Sequence, residues 1–328
     1  MKENGSTSPF PRVTVMIPVR NSPKFLADCL DSLLPQDYPD YEVIVIDDGS
    51  SDNTAEVAKR YPVRLISSPR LGISSARNQA IRAARGEIVM TTDADLIVPR
   101  DLIRRLVAPL QDPGVGVTLA WWGIRNRENM VAALIYRVYE YIVRNITDAD
   151  FFWGYCVAFR KSLVDEVGYF DETIPFVEDL DFAYRVIRTG RRIRLLKDVR
   201  VLHYFRDSLS IHLKRHYKTA RSKFREVHEK KKFIDQRATL AEYVKILLHF
   251  AALLSLAALP WKPLITLGCF ALALLSHLPM TVWGMRAGAK YILLLPFEFL
   301  TKMAWTLGVI QGAWWLLKGY IPPPREVQ

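Results

Sequence analysis

EVIVIDDGSSDNT, residues 42–54, decides the fold. Its first six residues are a β-branched run of strand length, and the acidic and turn-forming cluster Asp47-Asp48-Gly49-Ser50-Ser51-Asp52 stops it abruptly. Helical periodicity takes over through 52–60. The same order recurs on both sides of this stretch. VTVMIP (13–18), VRLI (63–66), EIVMTT (87–92) and VGVTL (115–119) are further strands, and 23–34, 73–85 and 99–110 are helices whose starts carry prolines or capping residues. Strand and helix in alternation predict an α/β fold around a Rossmann-like, mostly parallel sheet.

Half of the 328 residues are hydrophobic and 24% are charged, which excludes wholesale disorder. Lysine and arginine number 45 against 34 acidic residues, a net charge of +11 that favours an anionic partner: phosphate, lipid headgroups or nucleic acid. No helix-turn-helix, zinc-finger or RNA-binding signature accompanies that charge, so nucleic acid is not expected as a partner. Cys29, Cys156 and Cys269 stand far apart with no C-x-x-C pair, and read as reduced thiols. Residues 1–10 form a polar tail without an apolar core. No cleaved secretory signal is expected, and the first domain should stay in the cytoplasm.

Hydrophobicity divides the chain. Residues 11–205 have the mixture of a soluble domain, whereas 238–318 are dominated by apolar runs, with a short tail at 319–328. The run 240–259 is interrupted only by Glu242, Lys245 and His249, and 264–283 holds no Asp, Glu, Lys or Arg. A third, 291–317, contains Pro296, Glu298 and Lys302, so only 303–317 is expected to cross. Since about 20 apolar residues span a bilayer, about three transmembrane helices are expected. Residues 206–237 carry eleven Lys or Arg against four Asp or Glu. Within them Leu213, Tyr217, Ala220, Phe224 and Val227 recur at helical steps beside a stripe of Lys214, Lys218, Arg221 and Arg225, the pattern of a basic amphipathic helix lying on anionic membrane lipids. These charges, with Arg286 and Lys290, place the soluble domain on the cytoplasmic face of a plasma or inner membrane in a multi-pass arrangement, with the C-terminus outside.

In an open parallel sheet, ligands bind where the strands end at their carboxyl side. Here those ends are polar: Pro18-Val19-Arg20-Asn21, then Asp47 to Asp52, then Asp93-Ala94-Asp95. Asp47 to Asp52 also reads as a plain turn with a helix cap. Two carboxylates two residues apart at a strand end repel one another unless a cation neutralises them, and oxygen-ligated Mg²⁺ or Mn²⁺ suits the pair. Such a cation serves substrate phosphates. No G-x-x-x-x-G-K-[ST] loop or G-x-G-x-x-G turn is present, so neither a P-loop nucleotidase nor a dinucleotide enzyme is supported.

Taken in order, residues 13–21, VIDDGSSDNT, GISSARNQAI (72–81) and TTDAD resemble the nucleotide-sugar half of family 2 glycosyltransferases of the GT-A fold, and the match continues through His203. The resemblance implies that Pro18 and Asp48, with Val19, Arg20, Asn21, Gly49 and Ser50 around them, hold the nucleotide. It implies that Asp93 and Asp95 bind metal and diphosphate, that Gly72, Arg77 and Asn78 shape the donor site, and that His203 is a metal or phosphate ligand or a structural residue. FFWGYCVAFRKS (151–162), VGYFDE and FVEDLDFAYRVIRTG match the region that builds the acceptor side. There Trp153 and Gly154 line the sugar or acceptor cleft or belong to the core, and Phe176 adds to its apolar wall. Asp179 is the implied base, with Glu178 tuning it. A sugar hydroxyl is a poor nucleophile until its proton is removed, and a carboxylate opposite the leaving diphosphate supplies that, inverting the anomeric centre. The pair also reads as the acidic start of a helix.

The resemblance therefore implies a metal-dependent, inverting enzyme that moves a sugar from a nucleotide donor, uridine diphosphate by preference, to a lipid-linked or polysaccharide acceptor. The Q-x-x-R-W motif of processive synthases is missing near 214–232, which favours addition of one sugar. Two other readings stand beside this one: transfer to a polyprenyl phosphate, and a non-catalytic nucleotide-sugar-binding subunit. The segment 128–145 reads as packing or as an acceptor element.

Overall fold

A computed structural model of the chain describes residues 10–149, 151–174, 178–205, 207–230 and 240–318. Phe176, the tail at 319–328 and residues 231–237 of the basic segment lie outside the described residues. The chain forms two compact units, one from residues up to Gly123 with Ile146–Tyr204, the other from Ile124–Asn145 with residues from Phe205 onward.

The elements run β1 (Val13–Val19), α1 (Pro23–Leu33), β2 (Tyr41–Asp47), α2 (Thr54–Ala58), β3 (Arg64–Ser67), α3 (Ile73–Ala83), β4 (Ile88–Thr92), β5 (Leu96–Ile97), α4 (Leu102–Val107) and β6 (Val115–Ile124). After α5 (Met130–Val143), which belongs to the second unit, come β7 (Asp148–Ala149), β8 (Cys156–Arg160), α6 (Leu163–Val167), α7 (Glu178–Arg188) and β9 (Arg192–His203). Sheet order is β3-β2-β1-β4-β8-β6-β9-β5, with β7 on β9. β1 pairs in parallel with β2 and β4, and β2 with β3. The pairs β4–β8, β6–β8, β5–β9 and β7–β9 are antiparallel. The expectation of a mostly parallel sheet is corrected: the sheet is mixed, because β8 runs antiparallel to both β4 and β6, and β9 antiparallel to β5 and β7.

That mixture builds one edge. Parallel register sets Val19 beside Asp47, antiparallel register sets Thr92 beside Cys156, and Leu96 opposes His203. The ends of β1, β2, β4 and β9 and the start of β8 therefore meet. All residues of β1 and β4 are buried, as befits central strands covered on both faces. On α7, Phe182 is fully buried against Phe159 and stacks on Phe170 at 4.5 Å between centroids. Burying a phenylalanine contributes roughly 1.5–3 kcal/mol, enough to fix where α7 begins.

The second unit contains α5, α8 (Leu209–Lys230), α9 (Leu240–Ser255), α10 (Pro263–Leu275), α11 (Leu278–Met285) and α12 (Leu294–Leu317). Tyr136 and Tyr139 of α5 pack on Phe205, and Tyr141 on Trp283. The expected three membrane spans are corrected. Among the described residues one helix, Ala289–Trp315, is long and apolar enough to cross a bilayer, and Pro263–Leu275 with Leu278–Met285 qualifies only as a pair bent by 43°. The bend falls at Ser276–His277, just before a proline in the first turn of α11. Val244–Ala258 is shorter, about 22 Å at 1.5 Å per residue against a core of about 30 Å. The segment expected to break at Pro296 is continuous helix, because Pro296 sits in the first turn of α12, where no intrahelical donor is required. His249 of α9 meets His277 across the bend, Nε2 to Nε2 at 3.4 Å.

Candidate active site

The loops after β1 and β2 are stitched together. Asp48 N donates to Val19 O at 2.9 Å, Asn21 N to Ser50 Oγ at 2.9 Å and Ser51 N to Asn21 Oδ1 at 2.8 Å. Asn21, at φ 51°, and Gly49, at φ 68°, take left-handed backbone that a tight turn demands. A Cβ on Gly49 would also lie 3.0 Å from the Arg70 backbone. Asp47 accepts from Ser50 N at 3.1 Å.

Asp48 is buried and receives the start of the next helix: Leu71 N donates to Oδ1 at 2.8 Å and Gly72 N to Oδ2 at 3.0 Å. Its carboxylate thus fixes the turn before α3. Asp48→Ala should cost about 1–3 kcal/mol by leaving these donors unsatisfied, read as a lower urea midpoint.

From α3, Arg77 and Asn78 point inward and are almost fully buried. Asn78 Nδ2 donates to Phe170 O and to Glu172 Oε1, both at 2.8 Å, and its Oδ1 accepts Phe170 N at 3.0 Å. Its amide is a clamp on the 170–172 turn. Arg77 Nη1 donates to Glu178 Oε1 at 2.6 Å, Nη2 donates to Gly154 O at 3.1 Å, and Nη2 lies 3.9 Å from Asp93 Oδ1. One guanidinium thereby joins the end of β4, the turn before β8 and the start of α7. A Cβ at 154 would stand 2.6 Å from Arg77 Nη2, so any side chain there would displace the guanidinium.

Glu178 and Asp179 open α7, and they differ. Glu178 is buried, and that burial raises its carboxyl above the ordinary value; the Asp179 charge adds to this and Arg77 opposes both. Asp179 is half-exposed. Its Oδ2 accepts Gly154 N at 3.0 Å and its Oδ1 accepts Leu180 N at 2.8 Å, which fixes the carboxylate at the opening.

Asp95 Oδ2 and His203 Nε2 come within 3.5 Å across the β5–β9 pairing. Asp93, half-exposed, lies toward Arg77. Among the described residues no three His, Cys, Asp or Glu side chains converge on one point. Of the three expected metal ligands the structure brings Asp95 and His203 together, with Asp93 two residues before Asp95. A carboxylate oxygen beside an imidazole is a donor pair that would hold Mn²⁺ or Mg²⁺. Cys29 Sγ donates to Asp93 O at 3.6 Å. Burial, reinforced by the Asp95 and Asp93 charges, pushes its thiol far up, so it stays protonated.

Burial sorts the expected residues. Pro18, Val19, Asp48, Arg77, Asn78, Gly154 and Glu178 are buried and form the frame, whereas Arg20, Asn21, Gly49, Ser50, Gly72, Asp93, Asp95, Trp153, Asp179 and His203 reach the surface. An aromatic shelf escaped sequence reasoning. Trp122 lies 4.6 Å from Trp153, 4.3 Å from Tyr155 and 6.0 Å from His203 between ring centroids. Of the three indoles Trp121, Trp122 and Trp153, only that of Trp153 is half-exposed. The available signal was the run Ala120-Trp121-Trp122, which continues the VGVTL strand.

Residues 14–168 match the family model for glycosyl transferase family 2. Over 204 residues the chain is 27% identical to the uncharacterized glycosyltransferase EpsJ of Bacillus subtilis, covering 57% of this chain and 59% of that protein. Over 245 residues it is 29% identical to an N-acetylglucosaminyltransferase of Mesorhizobium japonicum, covering 67% of this chain and 58% of that protein. The match thus spans less than two thirds of either relative's length. A mannosyltransferase from Pyrobaculum calidifontis, PcManGT, solved with GDP-Man and Mn²⁺, superposes with a TM-score of 0.58 at 24% identity over 94% of this chain and 87% of that one. That likeness is one of fold.

Proposed function

We propose, on the premise that residues 14–168 belong to glycosyl transferase family 2, that this chain moves a sugar from a nucleotide diphosphate donor to a hydroxyl of a membrane-associated, lipid-linked saccharide, with inversion. The observation that carries the reading is the Arg77 bridge, which holds Glu178 at 2.6 Å and Asp93 at 3.9 Å. It sets a carboxylate pair for proton removal against the strand end suited to a diphosphate.

In this reading Asp179 takes the proton of the acceptor hydroxyl as its oxygen bonds to the anomeric carbon and the bond to the nucleotide diphosphate breaks. The Gly154 and Leu180 amides hold Asp179 in place, and Glu178, bound by Arg77, anchors the start of α7. The loops at Arg20–Asn21 and Gly49–Ser50 receive the nucleotide, and Trp153 offers a flat apolar face to a sugar ring. Asp95, His203 and Asp93 are the residues for a divalent cation, which when bound neutralises the diphosphate. The second unit keeps the enzyme at the membrane that holds its acceptor, raising their effective concentration.

The relatives' names direct the donor panel to UDP-N-acetylglucosamine and GDP-mannose first. Nucleotide diphosphate release by detergent-solubilised full-length chain should appear with one donor, require Mg²⁺ or Mn²⁺, vanish with chelator and rise with added membrane lipid. Absence of release from folded protein with every donor and lipid would overturn the reading.

A further inference from the structure

The α8–α12 pair governs how the helical unit meets a bilayer. The two helices run side by side in the same direction. His212 stacks on Phe297 at 4.9 Å between centroids, and its Nε2 lies 3.2 Å from Thr301 Oγ1. His216 lies 6.1 Å from Trp305. Tyr217 OH donates to Gln311 Oε1, and Arg221 Nη1 donates to the same oxygen at 3.2 Å. The Arg221 guanidinium sits 4.2 Å from the Trp315 ring centroid. Gly308 lets α8 approach so closely that a Cβ would overlap the Tyr217 carbonyl. Contact from Phe297 to Trp315 covers about 27 Å of α12 at 1.5 Å per residue, close to the hydrocarbon thickness of about 30 Å.

The same stretch of α8 carries Lys214, Arg215, Lys218 and Arg221, the first two exposed. Lys214 and Arg215 fall level with 301–305, the middle of α12. Were α12 to cross a bilayer with this partner beside it, these cations would stand at the midplane and beyond it, where lysine and arginine are among the costliest residues to insert. Long stems let such charges escape near a helix end, but not from its middle.

Yet the unit is strongly apolar outside: Trp261 is 77% exposed, Leu264 81%, Leu267 69% and Leu247 65%. Apolar surface of this extent needs a partner. Cations and outward apolar side chains on one unit fit a single leaflet of an anionic membrane, with the charges at phosphate level and the apolar residues among the upper acyl chains. We infer that α8 and α12 lie in the plane of an anionic leaflet and that α12 does not cross. This rests on the membrane attachment in the proposed function and removes α12 from the expected spans.

Leu300, Leu307 and Trp314 are all exposed and share one face of α12, seven residues apart. Nitroxides placed singly by Leu300→Cys, Leu307→Cys and Trp314→Cys in full-length Cys269→Ser protein, bound to phosphatidylglycerol vesicles, report depth by relaxation with lipid- and water-soluble agents. Cys29 and Cys156 are buried. One common shallow depth is expected at the three positions. A depth at position 307 greater than at positions 300 and 314 by about 10 Å, the rise over seven residues, would overturn the inference. Binding should fall at least tenfold on phosphatidylcholine vesicles, and equal binding would remove the anionic leaflet. Protein that fails to float with either vesicle, its nitroxides wholly water-exposed, would instead remove the membrane attachment itself. Donor-dependent nucleotide release tests catalysis separately.

Discussion

Asp179→Asn is expected to slow transfer to a hydroxyl acceptor by about 10²–10⁴-fold, the usual contribution of a positioned general base, while nucleotide affinity stays within about twofold. The amide keeps one oxygen to receive Gly154 N or Leu180 N, so the start of α7 should hold its place. What disappears is the capacity to accept a proton. Single-turnover transfer beside nucleotide binding by calorimetry separates the two effects. Unchanged turnover would remove Asp179 from the chemistry and leave an already ionised acceptor, such as a phosphate, as the substrate class.

Arg77→Met should destabilise the first unit by roughly 3–5 kcal/mol, the usual effect of removing one partner from a buried ion pair. Glu178 would be left buried with the Asp179 charge beside it. The loss should therefore depend on pH in a stated direction. Burial already sets the folded Glu178 carboxyl above its ordinary 4.5, and loss of the guanidinium raises it further. A carboxyl whose folded value exceeds its unfolded one contributes stability that is fully present below the unfolded value and is lost as pH rises through the folded value. The deficit of Arg77→Met should shrink as pH falls toward about 4.5. Adding Glu178→Gln should recover much of it at neutral pH, a coupling that urea titrations of the four proteins in the cycle measure. Additive losses would mean that the 2.6 Å contact carries little weight.

Alternating strands and helices in the first hundred residues were legible because each is a local pattern of period two or 3.6. In the antiparallel half VGVTL of β6 was legible as a strand, but its pairing was not. β8 is five residues inside a stretch read for its chemistry, and β9 mixes charged and apolar residues throughout. Which strand each one joins depends on partners far along the chain. The site divides in the same way. Asp93, Asp95 and Asp179 announce themselves by residue type at strand and helix ends. Arg77 and Asn78 could be assigned only to the donor side, since their partners Glu178, Gly154 and Phe170 lie on other elements. Hydropathy found the apolar runs beyond residue 240 but measures composition alone. It records neither the bend at His277 nor the charged helix lying along α12.

The reach of the Arg77–Glu178 pair sets an order of events during synthesis. Its members lie 101 residues apart, so at about 5–20 residues per second roughly 5–20 s separate their emergence from the ribosome. Throughout that interval α3 carries a cation that belongs in the interior and has only the more distant Asp93, at 3.9 Å, in place of its 2.6 Å partner. The nascent sheet can pair β1, β2, β3 and β4, but it cannot close over α3 until α7 arrives. The carboxylate pair and the frame that holds it are then completed together, shortly before the basic helix and the apolar segments follow, and a chain stalled ahead of Glu178 would offer chaperones and proteases an open sheet edge.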